Sequence, residues 1–303
     1  MKKLLLVLFL LSYIIYSCSN PKNNSKEQSD TEEISQEDIT RNPTLIKVWE
    51  TDTLLTTSES VLFDPSSNLF YISCINGQPL DKDGNGFISK INLDGKVVDS
   101  EWVTGLDAPK GSGIFNGKFY VTNITELVEI DLASAEITNR WEVDGAIFLN
   151  DISIDSEGIV YFSDSQTNKI HQLKDGEISL YTSGENLASP NGLLAEKGRI
   201  MLATMGGGTF GPIDKVSKNY EVKTDSLGAG DGIASDGEGN YIVSSWSGEI
   251  FFIDGSTWEE TSLLRTQEDE IQSADITYIP EKKLLLVPTF FKNTVSAYTL
   301  SYE

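Results

Sequence analysis

Between Ser58 and the C-terminus one short pattern recurs six times, at intervals of about forty residues. The copies read SESVLFDPSSNLFYIS from Ser58, PKGSGIFNGKFYVTN from Pro109, LNDISIDSEGIVYFSD from Leu149, PNGLLAEKGRIMLAT from Pro190, GDGIASDGEGNYIVSS from Gly230 and SADITYIPEKKLLLVP from Ser273. A period of this length means an array of small units, none of which can bury its apolar face alone. Within each copy two alternating runs flank a turn built on Gly, Asn or Lys, the pattern of two antiparallel strands joined by a hairpin. Further strand-like runs follow, such as Lys169 to Leu173 and Ile250 to Ile253, which brings each unit to about four strands. Four-stranded units at this period predict an all-β fold, a six-bladed β-propeller with four-stranded blades over residues 44–303.

The ends of this region predict how the ring closes. Residues Leu45 to Glu50 (LIKVWE) resemble the runs that precede other copies, Arg140 to Val143 and Glu177 to Tyr181, yet no unit stands before them. They fit as the outer strand of the last blade, whose own final run is Thr294 to Leu300. Such a seam leaves few exposed strand edges.

Ahead of the repeats, Lys2 and Lys3 precede the apolar run Leu4 to Leu11, and Met1 to Ser17 reads as a cleaved signal too short for a comfortable membrane span. Ile15, Tyr16, Ser17 and Cys18 resemble the lipobox of a bacterial lipoprotein, whose Cys becomes the lipid-bearing first residue of the mature chain. The resemblance implies a cell-envelope protein, periplasmic or at the outer membrane, that meets the membrane only through its lipid. Residues 18–43 carry almost no large apolar side chain and read as a tether, because they cannot bury enough surface to fold.

With 46 acidic against 23 basic side chains, the net charge of −23 argues against nucleic acid and anionic lipid surfaces as partners. The expected partner is a small-molecule substrate or ligand, with a protein ligand as the alternative, and the chain is expected to be a monomer. Apart from Cys18 the only cysteine is Cys74, inside an apolar run, so it reads as a buried thiol with no disulfide partner. The only histidine, His171, falls within a strand and reads as a surface or interblade residue.

Chemistry concentrates at the start of the repeats. In a propeller the innermost strand of each blade begins beside the central channel, and Glu59, Asn150, Asn191 and Asp231 each stand at that point, 91, 41 and 40 residues apart. Four blades therefore aim one oxygen-bearing side chain each at the axis. Two carboxylates and two amides suit a hard divalent cation, Ca²⁺ first and Mg²⁺ next. Zn²⁺ fits less well, for want of His and Cys ligands. Asx residues are also ordinary turn formers, so only their shared register carries weight. Asp151 and Asp275 follow the column by one residue, and strand alternation predicts that they turn from the axis to bond backbone between blades. Asp81-Lys82-Asp83-Gly84-Asn85-Gly86 matches half of an EF-hand loop, but Asn92 stands where its last ligand belongs, so a hairpin turn is expected. Phe148, Lys110, Met205, Trp246 and Phe290 are predicted to form an apolar, substrate-binding rim over this polar floor.

The motifs Ser58-Glu59-Ser60-Val61, Leu149-Asn150-Asp151, Ser189-Pro190-Asn191-Gly192 and Gly230-Asp231-Gly232, with Asp236-Gly237-Glu238-Gly239-Asn240 beyond, resemble the senescence marker protein and gluconolactonase family. Diisopropyl fluorophosphatase and the paraoxonases are more distant likenesses. The resemblance implies a six-bladed propeller that hydrolyses lactones, with Glu59, Asn191 and Asp231 on a catalytic divalent cation and Asn150 on the metal or substrate side. It also gives Asp231 the catalytic role, as base or nucleophile. Sugar lactonases of the family carry Arg at the position of Phe148, and the paraoxonase reaction uses a pair of His, so the substrate is expected to differ here. A hydrolase of a lactone, ester or related small molecule is thus the leading expectation, and a noncatalytic binding propeller is the alternative.

Overall fold

A computed structural model of the chain describes residues 42–302. The signal, Cys18 and the tether up to residue 41 fall outside the described residues. β1 (Pro43–Glu50) is followed by the first blade, β2 (Ser58–Asp64), β3 (Leu69–Cys74), β4 (Gly86–Ile91) and β5 (Val97–Leu106), all antiparallel. The second holds β6 (Pro109–Phe115), β7 (Lys118–Asn123), β8 (Glu126–Asp131) and β9 (Ile137–Glu142), and the third β10 (Leu149–Ile154), β11 (Val160–Asp164), β12 (Lys169–Lys174) and β13 (Glu177–Ser183). The fourth contributes β14 (Pro190–Glu196), β15 (Arg199–Thr204) and β16 (Phe210–Asp214). The fifth contains β17 (Gly230–Ser235), β18 (Tyr241–Ser245), β19 (Glu249–Ile253) and β20 (Glu260–Arg265), and the sixth β21 (Thr277–Ile279), β22 (Leu284–Pro288) and β23 (Val295–Tyr302). The protein is a six-bladed β-propeller.

In the fourth blade the outer strand is reduced to bridges at Tyr220 and Thr224. Pro212 explains the interruption: its carbonyl accepts from Glu221 N–H, but proline has no N–H to return the bond. Closure runs as predicted, since β1 pairs antiparallel with β23 as the outermost strand of the last blade. It begins at Pro43, one residue before the predicted boundary. At the channel the seam is sealed again: Asp275 N–H donates to Glu59 O at 2.9 Å and Val61 N–H to Asp275 O at 3.3 Å.

Second- and third-strand side chains of adjacent blades interdigitate. Phe70, Ile72, Leu286 and Val295 share one apolar cluster across the seam, and Tyr161, Ile170, Ile200 and Leu202 share another. These faces alternate with polar positions, as the period of two requires. Cys74 is fully buried in β3 and burial pushes its thiol pKa up, the state of an inert thiol. His171 is buried in β12, stacked on Phe162 at 5.5 Å, with Nε2 unpartnered. In the turn before β4, Asp83 accepts bonds from the backbone and side-chain amides of Asn85, which closes the EF-like segment on itself.

Candidate functional site

The register of the blades defines a ring of side chains around the channel. Ser58 pairs with Cys74, Pro109 with Asn123, Leu149 with Asp164, Pro190 with Thr204 and Gly230 with Ser245, each the first residue of an inner strand against the last of the second strand. The next residues, Glu59, Lys110, Asn150, Asn191 and Asp231, are therefore equivalent. Ala274, whose N–H donates to Pro288 O, takes the sixth place. In all five pairings the register shifts immediately after the first pair. A bulge there frees a side chain from strict alternation and re-aims it.

Second-strand hydroxyls hold these bulges, and sequence reasoning missed them. Ser163 Oγ accepts from Asp151 N–H at 3.0 Å and donates to Asn191 O at 2.9 Å in the next blade. Ser244 repeats the device, accepting from Gly232 N–H and donating to Ala274 O, both at 2.8 Å. Thr122 donates to Asn150 O. The signal was legible as the Ser or Thr one residue before the end of FYVTN, VYFSD and YIVSS.

All four predicted ring residues are buried: Glu59 is 5% exposed, Asn150 3%, Asn191 1% and Asp231 3%. Asn150 donates to Ser165 Oγ at 3.2 Å. Glu59 Oε2 and both amide atoms of Asn191 have no hydrogen-bond partner. Burial, and then the charges of Asp231 and Asp275, push the Glu59 carboxyl well above the usual range, against a lowering pull from Lys110. Asp231 is raised by burial and by Asp275, while the neighbouring Asn191 amide lowers it.

Asp151 and Asp275 correct one expectation. Each bonds the next blade, Asp151 accepting Leu193 N–H at 2.6 Å and Asp275 accepting Ser60 Oγ–H at 2.6 Å. Yet both also line a cavity of about 230 Å³ with Ile152, Leu193, Ile233 and Ile276, so they face the channel beneath the ring. Burial raises Asp275 to about 7, and raises Asp151 well above its ordinary value with a further push from Asp275. Among the described residues no three His, Cys, Asp or Glu side chains converge to hold a metal by themselves. The two amides of the ring would have to complete any ligand set.

The rim also departs from expectation. Lys110 is 1% exposed and belongs to the ring itself, because Pro109-Lys110-Gly111 occupies the same register as Pro190-Asn191-Gly192. Its Nζ donates to Ala108 O at 3.1 Å and lies 4.6 Å from the centre of the half-buried Phe148 ring. Burial lowers its pKa to about 8, and Glu59 holds it up. Phe290 is buried with Ile75, Ala108, Ile124 and Ala274 in an apolar cluster on which Trp246 packs, 5.8 Å from Phe290 ring to ring. Met205 remains half-buried in the loop after β15.

No family model matches the sequence, and no curated protein matches it. Among solved structures, streptogramin B lyase is similar with a TM-score of 0.62 and 13% identity over 86% of this chain and 98% of that one. A catalytically inactive virginiamycin B lyase from Staphylococcus aureus with quinupristin gives 0.59 and 15% over 86% and 99%. A Bacteroides thetaiotaomicron protein of unknown function gives 0.63 and 10% over 86% and 76%. At such identities the likeness shows the fold alone.

Proposed function

We propose that the protein is a hydrolase of a lactone, ester or related small molecule, dependent on a divalent cation, Ca²⁺ first, held by Glu59, Asn150, Asn191 and Asp231. One observation carries this reading. Among the described residues, buried polar atoms at one level of the channel lack partners, Glu59 Oε2 and the Asn191 amide, amid three buried carboxylates and the half-buried Asp275, opposed by a single ammonium. Unpaired buried charge is costly, and one hard cation would satisfy both deficits.

When bound, such an ion supplies Lewis-acid polarisation of an acyl carbonyl. Asp231, facing the same channel, is the residue to take a proton from attacking water or to attack as nucleophile. Phe148, standing where sugar lactonases of the resembled family carry Arg, favours a less polar acyl group than a sugar lactone. The resemblance to the senescence marker protein and gluconolactonase family supports the reading, since the residues it assigns to the cation fall in the ring. Structural similarity to a protein named as a lyase adds that the architecture hosts catalysis elsewhere.

The test combines binding with turnover. Carboxylates whose folded pKa is raised bind protons that the unfolded chain has released, so metal-free stability falls as pH rises from about 4 to 7, by about 4 kcal/mol for Asp275 alone. Ca²⁺ should therefore raise the melting temperature more at pH 8 than at pH 5, and a screen of lactones and aryl esters should show turnover that a chelator abolishes. Equal melting temperatures with Ca²⁺ and with chelator at pH 8 would remove the cation. A cation effect without turnover would leave a noncatalytic binding propeller.

We also propose that Cys18 carries lipid and holds a monomeric protein at the bacterial cell envelope, on the sequence pattern alone. Cys18→Ser should move the protein out of the membrane fraction and shift its mature mass. Unaltered fractionation and mass would sink the anchor.

A further inference from the structure

Lys110 is the one ring residue that neither the cation reading nor the resemblance explains. A surface lysine keeps its ammonium in water, but here the whole side chain is enclosed. Gly111 has no room for a Cβ against Asp151 of the next blade, and Pro109 fills the space beside Gly86, so the start of β6 is fixed on both sides. An ammonium has three N–H donors. One reaches Ala108 O and the Phe148 face supplies a weak electrostatic contact, while among the described residues no carboxylate forms an ion pair with it. Two donors are thus left without an acceptor among the described residues, within the electrostatic reach of Glu59, in a place where an unmet charge is expensive.

We propose that Lys110 is a catalytic oxyanion donor: it hydrogen-bonds the acyl oxygen of the bound ester or lactone and then the carboxylate that hydrolysis releases. Substrate class follows from the same geometry. Two free donors and one positive charge match the two oxygens and single charge of a carboxylate. A phosphate dianion would add a second negative charge beside Glu59, Asp231, Asp151 and Asp275. The step balances without a co-reactant. Water adds to the acyl carbon and loses a proton to Asp231, negative charge grows on the oxygen facing Lys110, and the acyl C–O bond breaks. The departing alkoxide takes that proton from Asp231, leaving an alcohol and a carboxylic acid, which loses its remaining proton to solvent and stays on Lys110 as the carboxylate. The catalytic part of this inference rests on the hydrolase reading, whereas carboxylate binding does not.

Butyrate, a product of the simplest such reaction, is therefore the probe, titrated calorimetrically into wild type, Lys110→Met and Lys110→Arg. Wild type should bind it with and without Ca²⁺. Lys110→Met should weaken butyrate by about tenfold or more without weakening Ca²⁺, and should lower kcat on a responsive ester by about a hundredfold, while Lys110→Arg retains part of both. Should Lys110→Met fail to fold, Lys110→Gln carries the same comparison. Equal butyrate affinity in wild type and the neutral variant, or no binding to wild type, overturns the proposal. Lysine-dependent butyrate binding in a protein that neither binds Ca²⁺ nor hydrolyses esters would overturn the hydrolase reading and Lys110's catalytic role with it, and keep the anion site.

Discussion

Asp231→Asn should stabilise the metal-free protein and at the same time destroy its site. Asp231 lies in a cluster with the buried Glu59 and Asp151 and the half-buried Asp275; lost solvation raises all four pKa values, and the charge of Asp275 adds to the rise of the other three. The groups titrate together, so removing one charge eases the others. Asparagine fits the same space and keeps one oxygen, so the fold at β17 is retained. The metal-free melting temperature at pH 8 should rise by a few degrees, in line with about 1–2 kcal/mol for a domain of this size.

Binding moves the other way. A carboxylate gives a hard cation charge as well as an oxygen, whereas an amide gives only the oxygen, so Ca²⁺ affinity should fall by about a hundredfold or more. Turnover should fall by about a thousandfold, the scale of a lost base together with lost carbonyl polarisation. Calorimetric titration of Ca²⁺ decides it: equal affinity in wild type and Asp231→Asn takes Asp231 out of the site and the mechanism with it. The opposite signs of the two effects matter, because a merely misfolded variant would lose stability and binding together.

Much of this was legible in the chain because the repeat fixes register. Ser58-Glu59, Leu149-Asn150, Pro190-Asn191 and Gly230-Asp231 announce four ring positions, and the structure puts all four at equivalent places. The fifth, Lys110, stood in the same column, but lysine is an unexpected residue in a buried ring and was read as rim. Its burial follows from Gly111 and Pro109, whose close contacts with neighbouring blades are tertiary facts. Asp151 and Asp275 were read by alternation, a rule that holds for regular strands and fails at a bulge. The shift after Leu149 lets Asp151 both bond Leu193 and face the cavity. Phe290 was read as rim because loop aromatics at a propeller mouth alternate between lining and packing. Its contact with Ile75, Ala108 and Ala274 across the seam decides for packing. The fourth blade departs from the expected four strands, and Pro212 is where its outer pairing breaks down.

Deleting Thr44 to Asp52 should cost the fold more than any single substitution, because β1 supplies the whole outermost strand of the last blade from the other end of the described chain. Its pairing with β23 runs from Pro43 opposite Tyr302 to Glu50 opposite Ser296, with one bulge at Lys47 and Trp49. Beyond the strand, Thr51 N–H donates to Val295 O and Thr51 Oγ1 accepts Val295 N–H, both at 3.0 Å. Trp49 reaches past its own sheet to lie on Gly95 of the first blade, where no Cβ would fit, so the segment packs on both sides of the seam. Against the upward push of burial, Glu50 accepts from Lys47, from Lys292 Nζ at 2.9 Å and from Ser296 at 3.0 Å, which together hold its carboxyl down at about 2. Without β1 the sixth blade keeps three strands and β23 becomes an unpaired, largely apolar edge. The truncated protein should melt more than about 10 °C below wild type and aggregate as it does so. Deletion of Asn20 to Thr40 is the control and should leave the melting temperature within about a degree, since that composition cannot bury a core. Differential scanning calorimetry of the two truncations compares them directly. If removing Thr44 to Asp52 lowers the transition no more than removing Asn20 to Thr40 does, β1 contributes nothing to closure, and the ring must be held by the Glu59–Asp275 contacts at the channel instead.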